Sequence, residues 1–329
     1  MVEATKKAPL ISLIGTTATG KTGSALAFAR KIIDEKKYVG VDVISADSRQ
    51  VFSDLAILSG ADVPQGFEKQ QSDAFLYPFF ASDSAQTIRL HGLCMLSANE
   101  EWSVALFKQF ALAIIAKSLA EHRLPILVGG TGLYHQHVTG LDPTLFVVPD
   151  SQWRKEAALL SVVELQQRLQ ELAPQKYAAL NNSDKHNPRR LQRAIEIAQS
   201  PTPQIPGWQK SLLQKLEHHF IGITVSASEL SERIKKRVEA RIAAGVLEEV
   251  QALTQLGVDE TQAVQSTLGL HEIQKYLAGE STKSELYEQW ILAELQYAKR
   301  QETWWKKHPS VHWKYSAEEA VAMLLSFTK

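Results

Sequence analysis

The stretch Leu10-Ile11-Ser12-Leu13-Ile14-Gly15-Thr16-Thr17-Ala18-Thr19-Gly20-Lys21-Thr22 decides the fold. Its first five residues are an apolar run of strand type. The next eight fit G-x-x-x-x-G-K-[ST], and a helical pattern follows at 23–33. Glycines at Gly15 and Gly20 let the backbone turn tightly and aim N–H groups inward. The helix N-terminus adds partial positive charge, Lys21 adds a full one, and the Thr22 hydroxyl is suited to holding Mg²⁺. Residues 15–22 therefore read as a cradle for a diphosphate or triphosphate. The motif leaves open whether that phosphate is transferred, hydrolysed or expelled.

Working outward, short β-rich runs at Val41–Ser45 and Pro125–Val128 alternate with helical patterns, the clearest at Ser103–His122. This alternation predicts an α/β fold, a P-loop core built on a parallel sheet. After Asp142-Pro143 the chain turns helical and polar, until Pro201-Thr202-Pro203 breaks the pattern. A β run at Phe220–Val225 follows, then amphipathic helical segments at Glu229–Leu256 and Ser284–Lys306. We therefore expect a catalytic core from 1–142 and 217–329, with a helical insertion domain at 143–216. Residues 64–90, with Phe75, Tyr77, Phe79 and Phe80, show no pattern that places them.

Bulk properties restrict function less. The chain has 329 residues, 44% hydrophobic and 22% charged, which suits a soluble globular protein with ample core. The single cysteine, Cys94, excludes an intramolecular disulfide framework and fits a reducing cytoplasm. Met1–Lys7 carries lysines with no apolar core behind them, so no secretory leader is expected, and no run approaches the ~18 residues of a membrane span. Net charge is zero, which argues against indiscriminate nucleic-acid binding. Local basic clusters nevertheless occur at 185–193, 233–241 and 299–314, the last beside Trp304 and Trp305. Each could be a solvated helix face; together with stacking aromatics they suit a phosphate-tracking surface.

Two further loops should open onto the phosphate pocket, because residues just past parallel strands line the ligand crevice. Ser45-Ala46-Asp47-Ser48-Arg49-Gln50 ends one strand, and Asp47 there suits a magnesium ligand, a general base or a helix cap. Gly129-Gly130-Thr131-Gly132-Leu133-Tyr134 ends another, with glycines for close approach and the small hydroxyl of Thr131. No strand ends in the acidic pair of a motor ATPase, which disfavours an NTP-driven machine.

These motifs occur in order with Asn187-Pro188-Arg189-Arg190-Leu191-Gln192-Arg193-Ala194 and Tyr297-Ala298-Lys299-Arg300-Gln301-Glu302-Thr303-Trp304. The ordered set resembles the tRNA dimethylallyltransferase family, also called tRNA isopentenyltransferase, across nearly the whole chain. The resemblance implies transfer of a dimethylallyl group from dimethylallyl diphosphate to N6 of the adenine immediately 3′ of a tRNA anticodon, with Mg²⁺. It implies that residues Gly15, Thr16, Thr17, Ala18, Thr19, Gly20, Lys21 and Thr22 hold the prenyl diphosphate rather than ATP. Asp47 would take the N6 proton, Thr131 would position the adenine, and Arg233, with Arg237 as second choice, would meet the pyrophosphate alongside Lys21. tRNA contacts would fall on Asp47, Ser48, Arg49, Gln50 and Thr131. They would continue on Arg189, Arg190, Leu191, Gln192, Arg193, Lys299, Arg300, Gln301, Thr303 and Trp304. The expected partner is the anticodon stem-loop, and the expected working form a cytoplasmic monomer without membrane association.

The chain departs from the family pattern within the loop at Thr16-Thr17-Ala18-Thr19, at His91-Gly92, and at Leu268-Gly269-Leu270-His271-Glu272, where an aromatic and a permanent cation are missing. Three other readings stay open: a prenyltransferase acting on free adenine nucleotide, a P-loop nucleotide kinase using ATP, and a tRNA-binding protein that has lost catalysis.

Overall fold

Strand β1 (Ala8–Gly15) is flanked on both sides by parallel partners, β6 (Arg123–Gly129) and β7 (Leu216–Ile223). Leu10, Ile11, Leu13 and Ile14 are all fully buried, so both faces of the strand are covered and the apolar run is continuous rather than alternating. The computed structural model describes residues 7–314 and 316–328. The leader reading of Met1–Lys7 therefore lies outside the described residues except for Lys7.

Outward from β6 lie β2 (Gly40–Ser45) and β5 (Ile88–His91), both parallel, then β4 (Phe79–Ala81) and β3 (Glu68–Gln70), both antiparallel. β8 (Val311–Lys314) closes the other edge beside β7. The sheet order is β3-β4-β5-β2-β6-β1-β7-β8. Residues 64–90, unplaced by pattern, thus supply three strands. Each is only three or four residues long, too short for a period of two to register.

Helices cover both sheet faces. On one, α1 (Lys21–Asp34) buries Ala25, Phe28, Ala29 and Ile32 against Ile11, Leu13 and Ile126. On the other, α2 (Val104–Ala120) and α3 (Gly132–Thr139) pack Phe107, Ala111, Ile115 and Val138 against Leu10, Ile44 and Leu127. Each such large apolar side chain stabilises the fold by roughly 1.5–3 kcal/mol. The N-cap of α2 is Ser103, whose hydroxyl accepts from the Leu106 N–H.

The expected Glu229–Leu256 segment is two helices, α4 (Ala227–Ala243) and α5 (Val246–Gln255). Gly245 between them sits at φ 93°, a left-handed conformation that ends the first helix. With α6 (Leu270–Leu277) and α7 (Lys283–Trp305) they enclose a second apolar cluster around Val238, Val250, Leu270 and Trp290. Helix α8 (Ala317–Phe327) returns to α1. No helix among the described residues is long and apolar enough to cross a membrane.

Backbone packing divides the chain into two units, Met1–Thr139 with Leu212–Lys329, and Gly140–Ser211. Leu212 and Leu216, assigned from the sequence to the insertion, are buried in the core cluster of the sheet unit. The second unit is helical. Its helices Val162–Leu172 and Pro188–Gln199 pack Leu165, Leu169, Leu191 and Ile195 around Trp153. A capping box of Ser161 and Glu164 starts the first, and Asn187 caps the second.

A buried ionic network ties the strands that carry the site. Asp42 on β2 is 1% exposed, accepts from Arg123 Nε at 2.8 Å, and pairs with His91 Nε2 at 3.0 Å. Burial opposes the charge on Asp42, but His91 and Arg123 outweigh it and hold its carboxyl at about 2. Arg123 also donates to the carbonyls of Val41 and Gln86. Asp42→Ala should therefore leave a buried, unneutralised guanidinium and cost about 3–5 kcal/mol of stability, measured by denaturant unfolding. A loss below about 1 kcal/mol would show the network to be dispensable.

Candidate active site

The loops that follow β1, β2 and β6 converge on one cavity of about 750 Å³ in the sheet unit. Thr17, Ala18, Gly20, Lys21 and Thr22 line one part of it. Asp47, Ser48, Arg49 and Gln50 line another, with Gly129 and Gly130 between the strand ends. Helix α4 contributes Arg233, Arg237 and Arg241, and α7 contributes Glu294, Tyr297, Arg300 and Gln301. Leu26, Val43, Leu58, Leu90, Leu93 and Val128 add apolar surface to a wall that also carries Ser45, Asp62, His91, Ser266 and Thr267.

The phosphate loop is shaped from within. Gly20, at φ 85°, turns the chain into α1, and the buried Thr19 hydroxyl donates to the Thr16 carbonyl at 2.9 Å. Gly15, Thr16 and Thr19 thus form the loop without lining the cavity, whereas the other five residues of the motif line it. Lys21 Nζ donates to the Thr16 carbonyl at 2.6 Å. Burial, and then the neighbouring Arg237, push its ammonium down to about 7, with Asp47 opposing.

The two candidate arginines differ in how their charge is met. Arg233 forms an ion pair with Glu229 at 2.6 Å and reaches the Ala18 carbonyl at 3.4 Å. Arg237 donates to the Thr17 hydroxyl at 2.6 Å and to the Gly60 carbonyl at 3.3 Å, both neutral oxygens. Arg241, unassigned from the sequence, is buried in a 2.7 Å pair with Glu294.

Asp47 Oδ1 accepts from the Arg49 N–H at 2.8 Å and the Gln50 N–H at 3.4 Å, so the carboxylate fixes its own turn while lining the cavity. These bonds close a turn; the next helical element, Ser53–Leu55, has Phe52 at its N-cap, so Asp47 does not cap it. Gln50 is turned inward, between the Ser45 hydroxyl and the Gly60 carbonyl. Arg49 Nη1 donates to the Ser48 carbonyl at 3.1 Å.

Thr131 does not line the cavity. Its Oγ1 is buried without a partner of good hydrogen-bond geometry, although the Tyr297 phenol faces it closely enough to lower that phenol's own pKa. Burial, followed by Asp47, still pushes Tyr297 up to about 12, so the phenol stays protonated at neutral pH. Tyr297 lies within a motif quoted above but carried no assignment; its place on the inner face of α7 is visible only once the helix is packed.

The residues expected to meet RNA differ in exposure. On α7, Lys299, Arg300, Thr303 and Trp304 are exposed, and the Arg300 guanidinium also stands 5.5 Å over the Tyr297 ring. Thr303 returns its hydroxyl to the Lys299 carbonyl. Gln301 is 6% exposed and accepts from the Thr17 N–H at 2.8 Å. Its amide oxygen is thus engaged by the phosphate loop.

In the helical unit, Leu191 is fully buried in the apolar core and has no side chain to offer a ligand. Arg193 braces the unit, pairing with Glu196 at 2.9 Å and donating to the Val147 carbonyl at 2.8 Å. Arg190 pairs with Asp184, the Gln192 carbonyl accepts from Trp153 Nε1, and Arg189 is exposed. Of the departures noted above, Leu270 is core at 2% exposure, packed with Trp290, and His271 is exposed. His91 is buried on Asp42 and reaches the cavity wall.

Comparison with known proteins gives a consistent answer. Residues 81–308 match the family model described as IPP transferase. The chain is 32% identical over 308 residues to the tRNA dimethylallyltransferase of Geobacillus kaustophilus, covering 92% of this chain and 88% of that protein. It is 32% identical over 311 residues to the tRNA dimethylallyltransferase of Acetivibrio thermocellus, covering 92% and 90%. Among solved structures, the full-length tRNA isopentenylpyrophosphate transferase of Bacillus halodurans superposes with a TM-score of 0.63 at 26% identity, over 98% of this chain and 95% of that one. A eukaryotic dimethylallyltransferase acting on tRNA shares the fold at TM-score 0.71 and 19% identity, over 97% and 79%. With a phosphate loop, an adjacent aspartate and a matched family model in one chain, this protein belongs to the IPP transferase family, the family of the tRNA dimethylallyltransferases.

Proposed function

We propose that the protein transfers a dimethylallyl group from dimethylallyl diphosphate to N6 of the adenine 3′-adjacent to the anticodon of a tRNA, releasing pyrophosphate. The observation that carries this reading is a single cavity lined by the phosphate loop, by Asp47 and by apolar side chains. Apolar surface beside the phosphate loop suits a branched five-carbon tail. A monomeric working form and a cytoplasmic setting belong to the same reading.

In the reaction, a bond forms between adenine N6 and C1 of the allyl group while the C1–O bond breaks and its electrons leave with the diphosphate. Loop amides, Lys21 and Arg237 would meet the charge that grows on the leaving group, as preorganised donors. Arg237 suits this better than Arg233, whose charge is already met by Glu229. Asp47 would accept the proton released from N6. The phenol of Tyr297 would remain a donor beside them.

Magnesium, when bound, would neutralise part of the diphosphate charge, and the Thr22 hydroxyl at the cavity wall is the group that would hold it. Among the described residues no cluster of three or more His, Cys, Asp or Glu could cage a metal. The donor set therefore fits an ion held mainly by diphosphate oxygens and water.

The direct test incubates labelled dimethylallyl diphosphate with unmodified tRNA, with AMP, or with neither. Label in tRNA alone is expected; label in AMP would favour a nucleotide prenyltransferase, and ATP-dependent phosphorylation of AMP a kinase. In the same assay Asp47→Asn should reduce turnover by roughly 10²–10⁴-fold with little change in KM for tRNA. Near-normal turnover would remove Asp47 from the proton-transfer role.

A pH dependence follows from Lys21. Its ammonium titrates at about 7 in the free protein, and an arriving diphosphate stabilises the charged form. Affinity for dimethylallyl diphosphate should therefore fall as pH rises from 7 to about 9, with proton uptake on binding in that window. Calorimetry in buffers of different ionisation heat measures the uptake. Lys21→Arg, permanently charged, should lose it; equal uptake in both proteins would assign the proton elsewhere.

The outer face of α7 supplies a test of RNA contact. Lys299→Ala should weaken tRNA binding, and should lower the slope of log affinity against log salt by about one if Lys299 meets one phosphate. Unchanged binding at low and high salt would make that face a solvated one.

A further inference from the structure

We propose that Gln301 makes the phosphate loop selective for a diphosphate by closing the place where a third phosphate would sit. The inference rests on the diphosphate reading above and explains a preference that the loop sequence alone does not contain.

In a loop of this kind the backbone N–H groups cradle the first two phosphates, and the lysine reaches toward the outer ones. Besides Lys21 and Arg237, a third phosphate would draw its backbone donors from the earlier part of the loop, Thr16 to Ala18. There the Thr17 N–H donates to Gln301 Oε1 at 2.8 Å, and the Thr17 hydroxyl accepts from Arg237 at 2.6 Å. The Thr16 carbonyl, an acceptor, faces Lys21. A terminal phosphate would thus meet the carbonyl oxygen of Gln301 where it needs a donor. The partly negative amide oxygen and a phosphate oxygen repel, and neither can donate to the other.

Gln301 is not easily displaced. It is 6% exposed, on the same face of α7 as Ala298 and Trp305, each 1% exposed. A Cβ placed on Gly130 would lie 2.1 Å from Gln301 Nε2, so the glycine is what lets the amide reach the loop. Opening the site to a triphosphate would require breaking the Thr17 bond inside this packed face. Simple charge attraction works in the opposite sense, since inorganic tripolyphosphate is the more anionic ligand and should bind the cationic loop more tightly. A preference for pyrophosphate therefore reports on the cap.

The test measures binding of pyrophosphate and of tripolyphosphate by calorimetry to the full-length protein and to Gln301→Ala, Gln301→Met and Gln301→Glu. Gln301→Met keeps the volume and removes the acceptor, which guards against a packing defect in Gln301→Ala. The parent should prefer pyrophosphate, and both acceptor-free variants should shift the ratio toward tripolyphosphate by on the order of tenfold. Gln301→Glu, which keeps an acceptor and adds a negative charge, should not gain tripolyphosphate binding. A parent that binds tripolyphosphate at least as well as pyrophosphate overturns the proposal, as does an unmoved ratio in folded Gln301→Met. A parent that binds neither anion instead overturns the diphosphate reading itself, so the two failures are distinct.

Discussion

Parallel pairing of β1 on both of its sides is the constraint from which the site follows. Leu13 lies opposite Val128 on β6 and Ile221 on β7, and both faces of the strand are covered by helices. A strand so enclosed can release its chain only at the sheet edge, where Gly15–Gly20 turns into α1. The loops after β2 and β6 reach that same edge because their strands run in the same direction. Three separate stretches of sequence are thereby brought to one cavity, with the N-terminus of α1 aimed into it.

Charge in this unit is sorted by the kind of oxygen that meets each cation. Arg123, Arg233 and Arg241 are paired with carboxylates. Their charge is largely neutralised where they stand, and at the buried ones this offsets desolvation. Lys21 and Arg237 are held instead by carbonyl and hydroxyl oxygens of the loop and of Gly60. Neutral oxygens orient a cation without cancelling it. Burial of Lys21 without a close carboxylate is also what pulls its pKa down, and the same deficit of negative charge favours an incoming anion. The helix dipole, Lys21 and Arg237 thus face one region of the cavity, while Arg123 and Arg241 are paired inside the core.

Helix α7 joins the two kinds of chemistry. Lys299 points to solvent, whereas Tyr297, Arg300 and Gln301 turn toward the cavity. Residues adjacent in sequence therefore serve opposite sides, because successive helical positions are rotated by about 100°. Arg193 shows the same lesson in the helical unit. A basic residue in a basic segment is there committed to Glu196 and to backbone carbonyls.

Much of this was legible in the residues themselves. The apolar run 10–14, the glycines and Lys21 determine a strand, a turn and a helix by local preference, and the alternation of elements determines a parallel sheet. The strands β2, β6 and β7 and the helices α1, α2 and α7 carry strong periodicity, so their existence follows from local pattern. Strands β3, β4, β5 and β8 do not, since runs of three or four residues become strands only when a neighbour supplies the hydrogen bonds. The inward turn of Gln301, the reach of Arg237 to Thr17 and the place of Tyr297 beside Thr131 were decided by tertiary structure alone. Gln301 and Thr17 are separated by 284 positions, and no local propensity acts over that distance. Residue types told what chemistry the chain could do; packing of α4 and α7 against the phosphate loop decided which side chains take part.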